Sequence, residues 1–386
     1  MRYFDYNATT PLSDCARDAW TDAQASHWLN PSSPYRAAAA VHARLESARE
    51  GIAARFSVAP DRVVFNSGAT EGNNAVFAHW AACLPEDAQI GVSPAEHPSV
   101  TGAARRFFRD RTSWLELSPE GAVDVDALAR RLDRGELAAV SAMAANNETG
   151  VLNDWSRIAD IARANGVAYH CDASQWIGKM PLEGLGACAF VTGCGHKFGG
   201  PRGTGFWILP EGDAGFSGLA GGAQEAGHRA GTQDVAGILA MAAALAEADD
   251  AAAGCGPAGR DAFEARLGAS LPETVFLGSG AARLWNTSCV ALPEFAAPRW
   301  IRALEKRGYL VSAGSACSTG KAGISPVLAA MGVDAAVARR AVRVSSGWSA
   351  GEADWLGLAD AVAESHAALT AEAAASGSRV ISIGEG

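Results

Sequence analysis

The 386-residue chain carries 42 acidic side chains against 32 lysines and arginines, a net charge of −10, with 48% hydrophobic residues. An acid excess of this size excludes a surface built to neutralise phosphates, so neither a direct nucleic-acid partner nor an anionic membrane is expected. No apolar run reaches bilayer length and Met1-Arg2-Tyr3-Phe4-Asp5 lacks an apolar signal core, so a cytoplasmic protein is expected.

The length suits a large and a small domain. The boundaries expected are 13–250 for the large domain, 1–12 with 251–373 for the small one, and 374–386 as a polar, disordered tail. The eight cysteines include no pair at the spacing of a structural zinc site, so no metal is expected; five or six of them are expected as small buried hydrophobes.

In chain order, Phe4 to Leu12 is short, polar and closed by Pro11, which predicts an extended arm. A helix follows from about Ser13. After the turn at Asn30-Pro31-Ser32-Ser33-Pro34, an alanine-rich helix runs from about Arg36 to Phe56, with Arg44, Glu46, Arg49 and Glu50 read as its solvated face. Arg62 to Phe65 is a strand leading into Asn66-Ser67-Gly68-Ala69-Thr70-Glu71-Gly72 and a further helix. Such a turn presents backbone N–H groups at the positive end of a helix, where a phosphate can sit, although Gly and Thr there also serve as ordinary turn and cap residues.

The strand Gln89–Val92 leads to Glu96-His97-Pro98, and the apolar strand 138–144 ends at Asn146-Asn147-Glu148-Thr149-Gly150. The strand Val167–Cys171 ends at Asp172, with Ala173-Ser174-Gln175 beyond it. About 25 residues later Lys197 stands in Cys194-Gly195-His196-Lys197-Phe198-Gly199-Gly200, close backbone rather than a solvated face. Polar and ionisable groups thus recur at successive strand ends, the edge along which open α/β sheets hold ligands. An aspartate and a lysine at that edge are the pair that pyridoxal phosphate requires: the amine condenses with the aldehyde, and the carboxylate keeps the pyridine nitrogen protonated.

Further on, Gly218 to Thr232 is a glycine-rich loop in which Arg229 and Thr232 are candidates to serve an anion. Residues 247–260 form the best linker candidate. The C-terminal part is read as α+β, with strands at 287–292, 310–311 and 342–345 and a helix at 298–307. Between the last two strands, Gly314-Ser315-Ala316-Cys317-Ser318-Thr319-Gly320 surrounds one thiol with small residues, which points to an accessible nucleophile. Arg343 is a candidate clamp for a substrate carboxylate.

Taken together, Asp5-Tyr6-Asn7-Ala8-Thr9-Thr10-Pro11, Ser67-Gly68-Ala69-Thr70-Glu71, Glu96-His97, Asn146-Asn147-Glu148-Thr149-Gly150, His170-Cys171-Asp172-Ala173-Ser174-Gln175, Gly195-His196-Lys197 and Gly314-Ser315-Ala316-Cys317 resemble the class V aminotransferase group of fold-type I pyridoxal-phosphate enzymes, and within it the cysteine desulfurases. The resemblance implies an α/β fold with a mostly parallel seven-stranded sheet and a homodimer with sites at its interface. It implies that Lys197 carries the cofactor, Asp172 pairs with its ring nitrogen, Gln175 and Asn147 reach the ring hydroxyl side, and His97 stacks on the ring. Ala69, Thr70, Cys194 and His196, with Thr232 of the second subunit, would hold the phosphate. Asn7, Asn147 and Arg343 would contact the substrate.

Cys194 stands where the family has serine, a thiol being the weaker donor, and Tyr35 stands where it has histidine. The implied activity turns L-cysteine into L-alanine: Lys197 takes the α-proton, His97 assists, and Cys317 receives the sulfur as a persulfide. A sulfur acceptor or scaffold protein would then take it, for iron–sulfur cluster assembly or another pathway. A selenocysteine lyase, an aminotransferase with an incidental Cys317, and a non-catalytic partner subunit stay open as alternatives.

Overall fold

A computed structural model describes residues 1–212, 215–314 and 324–377. They divide into a larger unit, Ala8–Asn147 with Val151–Cys255, and a smaller one, Met1–Asn7 with Glu148–Gly150 and the chain from Gly256 onward. Strand β1 (Arg2–Tyr3) belongs to the smaller unit. The strands β2 (Val63–Asn66), β3 (Ile90–Val92), β4 (Thr112–Trp114), β5 (Ala139–Ser141), β6 (Ala168–Asp172), β7 (Phe190–Cys194) and β8 (Gly205–Ile208) form one seven-stranded sheet in the larger unit, in the order β2-β8-β7-β6-β5-β3-β4. Only β8 runs antiparallel to its neighbours, β2 and β7. All the other strands therefore point one way, and their C-terminal ends share one edge. This is the expected α/β class with a mostly parallel sheet.

Strands covered on both faces read as unbroken apolar runs, and β2, β3, β5, β7 and β8 are buried at every position. The helices Ala69–Cys83 and Pro98–Phe107 build one core with the sheet around Phe77, Trp80, Phe108, Phe190 and Trp207. Across the middle of the sheet, the fully buried His170 of β6 bonds Ser141 Oγ of β5 at 2.9 Å and Thr192 Oγ1 of β7 at 3.0 Å. Burial pushes this imidazole down to about 4, so the ring that links the three strands is neutral.

The smaller unit continues with β9 (Val275–Leu277), β10 (Thr287–Ala291) and β11 (Tyr309–Leu310), and β1 pairs with β11. With β12 (Ala341–Ser345), β9 and β10 form an antiparallel sheet in the order β12-β10-β9. Phe4, Phe263, Trp300, Val342 and Trp355 fill its core. None of the described helices is long and apolar enough to cross a membrane.

Several local readings change. Residues 8–12 pack within the larger unit, because Thr10 donates its N–H to His196 O at 2.9 Å and Ser13 donates to Gly199 O at 2.9 Å. The helices Val235–Ala252 and Ala258–Ser270 take up most of the expected linker, leaving a short connection that contains the unit boundary. The last helix, Glu352–Gly377, extends into the segment expected as a disordered tail, and residues 378–386 lie outside the described ones. Among the seven described cysteines four are buried, Cys171, Cys188, Cys194 and Cys289, while Cys83 is exposed.

Arg49 is not on a solvated face. It is 8% exposed, and its guanidinium grips Glu225 through bonds of 2.8 and 3.0 Å. Glu225 also accepts from Phe65 N–H at 2.8 Å and Gln233 Nε2 at 3.1 Å, which ties the glycine-rich loop to β2. Glu225 and Ala226 hold left-handed φ angles of 50° and 53°, an unfavourable backbone that this ion pair keeps in place. Glu225→Ala removes the buried carboxylate of Arg49 and leaves its guanidinium to Glu46, at 3.1 Å, and the Val63 carbonyl, so it should lower stability by up to about 3–5 kcal/mol in urea unfolding, whereas an exposed pair would cost under about 1. Gly72 lies so close to β7 that an added Cβ would meet Thr192 Cγ2 at 2.4 Å. Gly72→Ala should therefore destabilise by about 1–3 kcal/mol in the same measurement, although alanine favours a helix.

Candidate active site

At the shared strand edge of the larger unit, β6 ends at Asp172 and the neighbouring β7 ends at Cys194, three residues before Lys197. Asp172 is 5% exposed, and both carboxylate oxygens are held: Oδ1 by Ser174 N–H at 2.9 Å and Oδ2 by Asn73 Nδ2 at 2.8 Å. The same Asn73 amide donates to Ser99 Oγ at 2.8 Å. That hydroxyl lies 2.8 Å from His97 Nδ1, which also accepts the Ser99 N–H at 3.1 Å as the cap of helix Pro98–Phe107. An Nδ1 that accepts leaves the ring proton on Nε2. Burial lowers the His97 pKa, Asp172 opposes this and the Lys197 charge adds to it, so the ring is neutral near pH 7.

Lys197 ends a short 3₁₀ turn, Gly195–Lys197, and donates Nζ to the Ala8 carbonyl at 2.7 Å. The arm that supplies this acceptor is fastened to the same turn, since Thr10 Oγ1 accepts from Gly199 N–H at 2.8 Å and donates to His196 O at 3.1 Å. His196 Nδ1 lies 3.2 Å from Thr9 Oγ1. Burial, with the nearby Lys197, Arg202 and Lys179 charges, brings its ring down to about 4. A neutral His196 offers a phosphate a donor without a further full charge.

After β2, Asn66 Oδ1 accepts from Gly68 N–H at 2.8 Å and Gly68 takes φ +135°, a value that favours glycine. Helix Ala69–Cys83 begins there without a side-chain cap, so its first N–H groups are available at the positive end of the dipole. Cys194 is buried beside this turn, its Cβ 4.0 Å from where a side chain at Gly68 would begin, and burial pushes its thiol pKa up. Beside this turn a cavity of about 200 Å³ is lined by Asn66, Ser67, Thr204, Arg229 and Thr232. Arg229 is engaged there by Glu71 at 3.0 Å. Burial would raise Glu71, but Arg229 and Ser67 outweigh it and hold the carboxyl below its usual range. Arg229 is thus an anchor for the turn, not an uncommitted anion ligand.

Gln175 Oε1 accepts from Lys179 Nζ at 2.6 Å, and Lys179 is buried. Asn147 ends its segment of the larger unit, following Asn146, whose Nδ2 donates to Ala95 O at 2.9 Å. Asn7 and Arg343 belong to the smaller unit. Asn7 donates Nδ2 to Thr287 Oγ1 at 2.9 Å, and Arg343 donates to Asp5 Oδ1 at 2.5 Å. Cys317 lies outside the described residues.

The structure thus brings Asp172, Lys197, His97, His196, Cys194, Ala69 and Thr70 to one strand edge. Three buried residues were given no role in the sequence reading, which quoted Glu96 only as the neighbour of His97. Asn73 sits one helical turn past Ala69-Thr70, Glu96 precedes His97, and Lys179 stands at i+4 from Gln175 behind Trp176 and Ile177. Only that last spacing offered a signal. The donor set fits a phosphorylated pyridine aldehyde: a fixed carboxylate, an amine at the next strand end, a neutral ring and an uncapped helix start. Among the described residues no group of His, Cys, Asp and Glu is placed to hold a metal ion.

Comparison with known proteins points the same way. A cysteine desulfurase of Klebsiella pneumoniae is 34% identical over 351 residues, covering 89% of this chain and 87% of its own. Among solved structures, a NifS-like protein is similar with a TM-score of 0.85 and 27% identity, over 94% of this chain and 99% of that one. A structure described as SspA in complex with cysteine has a TM-score of 0.77 and 25% identity, over 90% and 99%. The family model described as aminotransferase class-V, a pyridoxal-phosphate-dependent group, matches residues 2–354, and the chain belongs to that family.

Proposed function

We propose that this chain is a cysteine desulfurase that binds pyridoxal phosphate at the Asp172–Lys197 edge and converts L-cysteine to L-alanine, retaining the sulfur on Cys317. The observation that carries this reading is the Asp172 carboxylate, fixed at one strand end beside the strand that leads to Lys197, with neutral His97 linked to it through Asn73 and Ser99. Similarity to cysteine desulfurases over most of the chain supports the choice of substrate.

When bound, pyridoxal phosphate supplies an electron sink for charge developing at the substrate α-carbon. Asp172 keeps a negative charge in place to hold the ring-nitrogen proton. The N–H groups of Ala69 and Thr70, with His196, Cys194 and Thr232 of a second subunit, would hold the phosphate. The Lys197 amine takes the α-proton and later returns a proton, with His97 Nε2–H placed to assist. Asn7, Asn147 and Arg343 orient the amino-acid carboxylate. The Cys317 thiolate attacks the substrate sulfur, forming an S–S bond as the substrate Cβ–S bond breaks. The electron pair from that bond stays with the carbon fragment, which takes up protons to become alanine. The reading includes a cytoplasmic homodimer and a protein acceptor for the persulfide sulfur, as in iron–sulfur cluster assembly.

The test is single-turnover alanine formation from L-cysteine, with mass analysis of the protein for a persulfide. Wild type should bind pyridoxal phosphate with a visible absorbance, release alanine and gain one sulfur atom. Cys317→Ala should keep the absorbance, gain no sulfur and lose at least about a hundredfold in alanine formation, whereas Lys197→Ala should lose turnover altogether. A keto acid product would replace this reading with that of an aminotransferase, and unchanged alanine formation in Cys317→Ala would remove Cys317 as the residue that takes the sulfur.

A further inference from the structure

We propose that Glu96 is a positioning residue of this site, whose carboxyl group locks the segment after β3 onto the segment after β5 and thereby sets the His97 ring beside Asp172. Glu96 is 3% exposed, and its Oε1 accepts the Met143 backbone N–H at 2.5 Å. One residue earlier, Ala95 O accepts from Asn146 Nδ2 at 2.9 Å, and Ser93 N–H reaches Ser141 O at 2.9 Å. The bonds to Met143 and Asn146 thus close the two post-strand segments against each other immediately before His97, continuing from the Ser93 bond to the end of β5. Among the described residues the ring is hydrogen-bonded only on its Nδ1 side, by Ser99. Its place over the strand edge therefore depends on where residue 96 is held.

The other oxygen of Glu96, Oε2, is buried and has no hydrogen-bond partner among the described residues. An ionised carboxylate with one bare oxygen in an apolar interior is strongly disfavoured. The titratable groups facing Glu96 reinforce this. Burial raises its carboxyl well above the usual range, the negative charge of Asp172 raises it further, and the Met143 N–H opposes both only in part. Tyr169 is the other neighbour, and burial holds its phenol neutral. Burial and the bare Oε2 thus favour the protonated acid over the carboxylate at Glu96.

The sign of the pH effect follows. The native pKa of Glu96 lies above its unfolded value, so its contribution to stability is complete below the unfolded pKa and is lost as pH rises toward the native one. Glutamine keeps the amide oxygen for Met143 and never ionises.

The inference rests on the desulfurase reading for its activity arm alone. Full-length wild type, Glu96→Gln and Glu96→Ala are compared by urea unfolding between about pH 5 and pH 8, by the His97 titration in histidine-labelled protein by NMR, and by alanine formation from L-cysteine. Glu96→Gln should keep the His97 midpoint and the rate within about twofold, and its stability relative to wild type should increase as pH rises. Glu96→Ala should move the His97 midpoint and slow alanine formation about ten- to a hundredfold, the cost of a small misplacement of a reacting group. Unchanged midpoint and rate in Glu96→Ala would overturn the proposal, as would loss of rate in Glu96→Gln or a stability difference that does not grow with pH. Should Glu96→Ala not fold, the glutamine variant decides alone. A wild type that makes no alanine would refute the desulfurase reading, while the unfolding and NMR arms would still report on Glu96.

Discussion

A carboxylate taken out of water needs hydrogen-bond donors to replace its hydration, and Asp172 obtains them from two directions. Ser174 N–H comes from the turn that ends β6, and Asn73 comes from the helix after β2. Because Asn73 also reaches Ser99, satisfying one buried charge simultaneously fixes the orientation of His97. The arrangement requires the ends of β2, β3 and β6 to stand along one edge. The reversed strand β8 is what permits this: antiparallel to both β2 and β7, it lets β2 point the same way as the parallel strands.

Neutrality is the second theme of the larger unit. His97 and His196 are kept uncharged by burial and by Lys197, and His170 by burial within the sheet. The positive charge of Lys197 and the negative charge of Asp172 consequently face little competition from these rings. In the smaller unit the opposite strategy holds around Arg343, whose guanidinium is met by Asp5 while β12 and β10 place it in a buried sheet.

Much of this was legible in the sequence because chain direction is simple. Apolar runs ending in Asp172, Asn146-Asn147 and Glu96-His97 mark strand ends, and parallel strands collect such ends on one edge, so the fold class and the family follow from residues close together in the chain. What the sequence hid depends on distant partners. Arg49 looked like part of a charged helix surface because Glu225, 176 residues away, gives no local sign. Glu71, which pairs with Arg229, and Asn73, which reaches Asp172, looked like ordinary polar residues at a helix start. The direction of β8 was equally hidden, since an apolar run carries no sign of whether its neighbours run with it or against it.

The hydrogen bond from Lys197 to the Ala8 carbonyl has an acceptor that every amino acid possesses. No side-chain substitution at position 8 can delete it. The resting place of the lysine is therefore encoded in the route of the arm, through the bonds that Thr10 and Ser13 make to the 196–199 turn, and not in the identity of the residue it touches. Sequence drift at position 8 leaves that acceptor in place, whereas loss of the Thr10 or Ser13 bonds would let the arm carry the carbonyl away from the amine.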